Sequence, residues 1–228
     1  MEVGEHNMEY IYIFFERSSD ITEALLRHLL ITGLSVFLAC IVAIPIGVFL
    51  AKTSYRLIQS AVFTITNIFQ TIPSLAMLAI FIPIIGIGLK PAIIALFLYS
   101  LLPILRNTYA AFESIDEGII ESATGMGYST LQRLIKIEIP LALPYIMSGI
   151  RLTTVYIINW ATLAALIGAG GLGQLIIGGM GVNNKPLILA AAILAMLLAL
   201  VVDFLFARIE SVFSKRGKRE PQSLMMEE

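Results

Sequence analysis

Three ionisable side chains stand inside long apolar runs of this chain: Arg106, Arg151 and Asp203. Charge at bilayer depth is costly, so such residues mark either ion pairs or relays. A proton or ion relay calls for a carboxylate near the midplane. At ~1.5 Å of rise per residue, all three fall roughly 5–12 Å from the cytoplasmic edge of their runs. That depth favours snorkelling arginines and an ion pair with Asp203. A second candidate set is polar. Ser60, Thr64, Asn67, Thr71 and Ser74, with Gln70 beside them, recur at spacings of four and three and so share one helical face. Such a face points at protein or water, as a pathway wall or as a helix-packing seam. A third set is aromatic: Tyr99, with Tyr156 and Trp160 close to Asn159. These rings could hold a quaternary ammonium by cation–π attraction. They could equally form an outer-leaflet belt.

Other chemistry is scarce. The lone cysteine, Cys40, excludes a disulfide framework and any cysteine-cluster metal site. His6 and His28 leave little for zinc, so we expect no metal and no cofactor in this chain. An intramembrane enzyme would need a nucleophile–base–metal set, and we find none in the sequence. A net charge of −1 leaves no basic field for nucleic acid.

The elements that must position these residues are membrane helices. The chain has 228 residues, 58% hydrophobic and 14% charged, with a mean hydropathy of +0.89. An average soluble domain carries about 25% charged residues. A crossing helix needs about 20 apolar residues. Uncharged or nearly uncharged runs predict five spans: 29–51, about 63–86 after an interfacial lead-in, 91–112, 144–167 and 186–207. The predicted fold is therefore an all-α polytopic membrane protein. Residues 1–27 form an extracytoplasmic tail, 28–208 a five-span domain, and 209–228 a cytoplasmic tail.

Lys and Arg of short loops stay cytoplasmic. One side would own Lys52, Arg56, Arg133, Lys136, Arg208, Lys215, Arg216, Lys218 and Arg219, the other Arg17, Arg27, Lys90 and Lys185. The bias predicts the N-terminus outside and the C-terminus in the cytoplasm, in a plasma or inner membrane. Glu2, Glu5, Glu9, Glu16, Asp20 and Glu23 suit an outside tail, and no basic n-region precedes them.

The loop at 113–144 is the most informative segment. Ser114 to Glu117 fits a capping box. Gly125 and Gly127 are placed to end that helix. Ser129 to Gln132 opens a second short helix, which Pro140 and Pro144 are expected to stop. On physics alone this is also an amphipathic hairpin resting on headgroups.

Here the residues resemble a family. Glu121-Ser122-Ala123, then Gly127, then Ile137-Glu138-Ile139-Pro140 is similar to the EAA loop of binding-protein-dependent ABC importer permeases. Ser122 and Ile139 are small or apolar departures from that pattern. The five-span layout resembles the methionine-permease-like members. Residues 70–76 and 98–108 resemble the osmoprotectant permeases that import glycine betaine, carnitine and choline. The resemblance covers roughly residues 25–210. It implies that Glu121, Ala123, Gly127, Ile137, Ile139 and Pro140 belong to a cytoplasmic coupling helix that docks on an ABC ATPase. It further implies a second permease subunit, identical or homologous, and an extracytoplasmic binding protein.

With no Walker motif here, ATP and Mg would be bound by the partner ATPase, and the chain is expected not to be an enzyme. A methionine permease is the near alternative. A secondary transporter or channel is the distant one, with inverted repeats and broken helices at the midplane. Gly168-Ala-Gly-Gly-Leu-Gly173 contains G-x-G-x-x-G, but a membrane helix precedes it instead of a strand, so a tight external turn is expected there.

Overall fold

The structure, a computed structural model, describes residues 12–217. Glu2, Glu5, Glu9, Lys218 and Arg219, which entered the orientation argument, lie outside the described residues, as do the ends of both expected tails. The described residues are helical, with no strand among them. The order is α1 (Ser18–Lys52), α2 (Arg56–Thr71), α3 (Ser74–Ile85), α4 (Leu89–Glu113), α5 (Glu117–Gly125) and α6 (Thr130–Arg133). A π-helical segment (Leu134–Glu138), α7 (Ile139–Ala161), a 3-10 turn (Leu163–Ile167), α8 (Leu172–Gly181) and α9 (Lys185–Gly217) complete it. Four stretches are long and apolar enough to cross a membrane: α1, α4, α9 and the continuous run Thr130–Ala161. The pair α2–α3 makes a fifth crossing if its two halves, bent by 95°, count as one.

The core forms where α1 and α4 pack face to face. Along α1, Ser35, Ala39, Ala43 and Gly47 repeat every four residues and are all buried. Small residues on one stripe let two backbones approach, which is how helices associate where lipid is as apolar as any side chain. Contact is closest at Gly47, where an added Cβ would stand 2.8 Å from the Thr108 Cβ. Gly149 does the same for α7, its missing Cβ being replaced by the Asn107 side chain of α4. Ala92, Ala95, Leu96 and Ile104 of α4, Met77 and Leu78 of α3, and Ile157 and Ala161 of α7 complete the cluster. Thus α4 is the central helix.

Several expected boundaries move. Helix α1 begins at Ser18, well before the expected span at residue 29, and α9 runs on to Gly217. Pro73 inside the expected second span predicts a bent helix, but the span is two helices with a break between them. Helix α2 stops at Thr71, and Ile72 and Pro73 are extended (ψ 128° and 140°) before α3 starts at Ser74. Pro73 has no N–H to continue α2 and disfavours a helical residue ahead of it. The fourth span does not start at Pro144, and the prolines do not stop the preceding helix. Wide turns at Leu134–Glu138 carry the chain through, and Pro140 falls in the first turn of α7, where its missing N–H costs little. The glycine-rich connection after residue 168 contains the short helix α8.

Candidate functional site

At one end of the bundle, the loop predicted from its caps folds as a helix, an elbow and a second helix. Asp116, not Ser114, is the N-cap of α5: its carboxylate accepts from the Gly118 N–H at 2.7 Å. Ser114 instead closes α4, its hydroxyl donating to the Ala111 carbonyl. Gly127 ends the helix in a left-handed turn at φ +83°. The Tyr128 N–H reaches the Ala123 carbonyl at 3.2 Å and the Gly127 N–H the Thr124 carbonyl at 3.0 Å. These two bonds are a Schellman motif with Gly127 at C′. Gly125 is the last helical residue and needs no special conformation. The second box forms as expected, Ser129 and Gln132 exchanging side-chain-to-backbone bonds.

Ala123 is buried, while Glu121, Ile139 and Pro140 are exposed and Ile137 is half-buried. Ile119, Met126, Leu131 and Ile135 also face outward, so the segment presents an apolar surface away from the bundle. The residue that sequence reasoning passed over is Glu138, which is 1% exposed. Its signal was present: a carboxylate between Ile137 and Ile139 on an otherwise apolar helix start.

Deeper in the bundle, the break between α2 and α3 meets α4. Pro103 of α4 has no N–H for the Tyr99 carbonyl four residues earlier. The Gln70 side chain of α2 donates to that carbonyl at 2.5 Å. In return the Tyr99 hydroxyl donates to the Ile72 carbonyl, left without a helical partner by the break. Two orphaned carbonyls are thus satisfied reciprocally, and the broken crossing is clasped to the central helix. The Tyr99 ring stacks on Trp160 with centroids 5.2 Å apart and planes 20° from parallel.

Of the three aromatic candidates, Tyr99 is therefore packed away, 5% exposed, while Trp160 is half-buried and Tyr156 is exposed. The polar stripe does not share one helix, because Ser74 lies beyond the break in α3. Ser60, Thr64, Asn67 and Thr71 remain together on α2, all exposed, and Ser74 is half-buried.

Arg151 binds Asp203 with two bonds, Nε to Oδ1 at 2.6 Å and Nη2 to Oδ2 at 2.9 Å. Its third nitrogen reaches Glu210 at 3.3 Å, a partner the span boundaries had hidden. Arg106 is exposed and forms no ion pair among the described residues.

At the opposite end, Gly168, Gly170 and Gly171 all have positive φ, as a tight turn requires. An added Cβ at Gly173 would stand 1.9 Å from the Thr162 carbonyl oxygen. His28 fills the space beneath. Its Nδ1 accepts from the Leu172 N–H, which leaves Nε2 to donate to the Ile158 carbonyl at 3.0 Å. The ring joins α1, α7 and the start of α8, a role its isolated position in sequence did not advertise.

Comparison with known proteins bears on the whole of this arrangement. Residues 43–215 match the family described as binding-protein-dependent transport system inner membrane component. The chain is 43% identical over 214 residues to the carnitine transport permease protein OpuCB of Listeria monocytogenes, covering 93% of this chain and 97% of that one. It is 45% identical over 191 residues to the glycine betaine/carnitine/choline transport system permease protein OpuCB of Bacillus subtilis, covering 84% and 87%. Among solved structures, an inward-facing form of the MetNI methionine ABC transporter aligns at a TM-score of 0.79 and 25% identity, over 87% of this chain and 98% of that chain. With the helical crossings in place, the chain belongs to the inner membrane components of binding-protein-dependent transport systems, as the permease subunit of an ABC importer.

Proposed function

We propose that this chain supplies half of the translocation pathway of an ATP-driven importer for compact quaternary amines of the glycine betaine, carnitine and choline class. The observation that carries the substrate class is the alignment, over most of the chain, with permeases named for carnitine and for glycine betaine, carnitine and choline. The chemistry of the pathway agrees with it. A quaternary ammonium has no N–H to donate, so hydrogen bonding cannot select it. Aromatic faces attract it by roughly 0.5–2 kcal/mol each, depending on desolvation. Tyr156 and Trp160 sit one helical turn apart on α7 with surface to offer.

The energy comes from outside the chain. The exposed apolar surface of α5 and α6, bounded by the Gly127 elbow, is the contact for a cytoplasmic ABC ATPase, which would hold ATP and Mg. The polar stripe on α2 faces away from this chain's own core, which suits a wall shared with a second permease subunit. An extracytoplasmic binding protein delivers solute to the end that carries the glycine turn, with the N-terminus outside and the C-terminus inside.

The test is purification with the natural partners, followed by uptake in proteoliposomes of radiolabelled glycine betaine, carnitine and choline against methionine. Co-purification of an ATPase and uptake of at least one quaternary amine is expected. Methionine uptake alone would overturn the substrate class and leave the permease intact.

A further inference from the structure

Glu138 is a carboxylate with 1% of its side chain exposed, at the junction of the coupling segment and α7. Burying a carboxylate costs several kcal/mol unless it is paired, and breaking such a pair leaves an uncompensated charge. Two cations meet it. Arg133 Nε donates to Oε1 at 2.8 Å. The Lys52 ammonium, at the last residue of α1, lies against Oε2 as an ion pair. Arg133 also donates from Nη1 to the Thr124 hydroxyl of α5 at 3.0 Å. Lys52 rests over the Phe112 ring at the end of α4, 5.5 Å from its centroid.

The same end of α1 is fastened to α2, because the Gln59 side chain donates to the carbonyls of Leu50 and Thr53, both at 3.0 Å. Polar contacts therefore run from α5 through Arg133 and Glu138 to Lys52, and the backbone of this end of α1 is in turn bonded to Gln59 of the broken crossing. Its middle member is set in a π-helical segment, a geometry frequent at functional sites.

We propose that Glu138 is a positioning residue for energy coupling: it locks the ATPase-facing segment to the end of α1, so that displacement of α5 and α6 moves α1 and the α2–α3 crossing with them. The proposal rests on the reading of α5 and α6 as the ATPase contact. Without the carboxylate, the coupling segment would follow the ATPase while the crossing stayed behind, and hydrolysis would continue without matching transport.

The experiment measures solute taken up per ATP hydrolysed, in proteoliposomes holding the complete complex, with radiolabelled glycine betaine as probe. Where the wild type carries methionine instead, methionine replaces it as probe. Glu138→Gln keeps the shape but loses the charge, and uptake per ATP is expected to fall about tenfold while hydrolysis stays within about twofold of wild type. Lys52→Gln is expected to act in the same direction, and Lys90→Gln, on the far side, to leave the ratio unchanged. Should Glu138→Gln fail to assemble, Lys52→Gln and Thr124→Val decide, since both leave the Glu138–Arg133 pair in place.

Wild-type uptake per ATP in the assembled variants overturns the proposal. Reduced yield of complex at a wild-type ratio does so as well, because it assigns the ion pair to stability alone. Failure of the underlying reading would register earlier, as a wild-type preparation from which no ATPase is recovered.

Discussion

Gly127 holds φ at +83°, and a Cβ added there would meet nothing within 4 Å. Any substitution therefore acts through the backbone. A left-handed conformation costs an ordinary L-residue about 1–2 kcal/mol, more for a β-branched one, and asparagine tolerates it best. Gly127→Val is expected to abolish uptake with the protein still present in the membrane, and Gly127→Asn to retain a substantial fraction. Gly173 is the opposite case. Its Cβ would collide with the Thr162 carbonyl at 1.9 Å, so Gly173→Ala is expected to remove the protein from the membrane. Immunoblots of membranes beside uptake rates check both. Arg151 offers a third check. Arg151→Leu leaves Asp203 and Glu210 without their cation, while Arg151→Leu with Asp203→Leu removes most of the imbalance. The double variant is expected to melt above the single one, because Arg151→Leu alone strands the Asp203 carboxylate that the guanidinium holds by two bonds.

At the scale of elements, the clasp between the α2–α3 break and α4 makes a sharp prediction. Tyr99→Phe keeps the Trp160 stack but leaves the Ile72 carbonyl without its donor. The cost is about 1–3 kcal/mol, read as a lower melting temperature of the purified complex. A melting temperature equal to wild type would show that water or Gln70 replaces the hydroxyl. This is also the scale at which the sequence was partly legible. The Ser129–Gln132 capping box and the left-handed Gly127 followed from residue type and spacing, because caps are local. The break was legible only as a bend, since Pro73 says that a helix is disturbed and not how far its halves diverge. The run through Pro140 and Pro144 was hidden, because a π turn depends on how α7 packs and has no compositional mark. Glu138 and His28 were missed for a related reason: each binds groups far away in sequence.

For the whole molecule, the crossings themselves were read from hydropathy, because lipid forbids unpaired backbone and leaves helices as the means to span. The α1 stripe of Ser35, Ala39, Ala43 and Gly47 could have announced the α1–α4 core, since its period of four is visible in the chain. Orientation rests on the basic bias between the two sides. In a Cys40→Ala background, single cysteines at Ser18 and Thr130, both exposed, are to be treated with an impermeant thiol reagent in intact cells. Labelling is expected at position 18 and not at 130, and the reverse would invert the topology.

The reciprocal bonding of Gln70, Tyr99 and Pro103 has an evolutionary consequence. The glutamine is needed only because the proline withholds an N–H. A descendant that acquires an ordinary residue at 103 repairs its own helix and frees position 70 to drift. Position 70 cannot drift first without leaving the Tyr99 carbonyl bare. The two sites should therefore change in a fixed order, 103 before 70. The laboratory equivalent is that Gln70→Leu lowers the melting temperature alone but much less so when joined to Pro103→Ala.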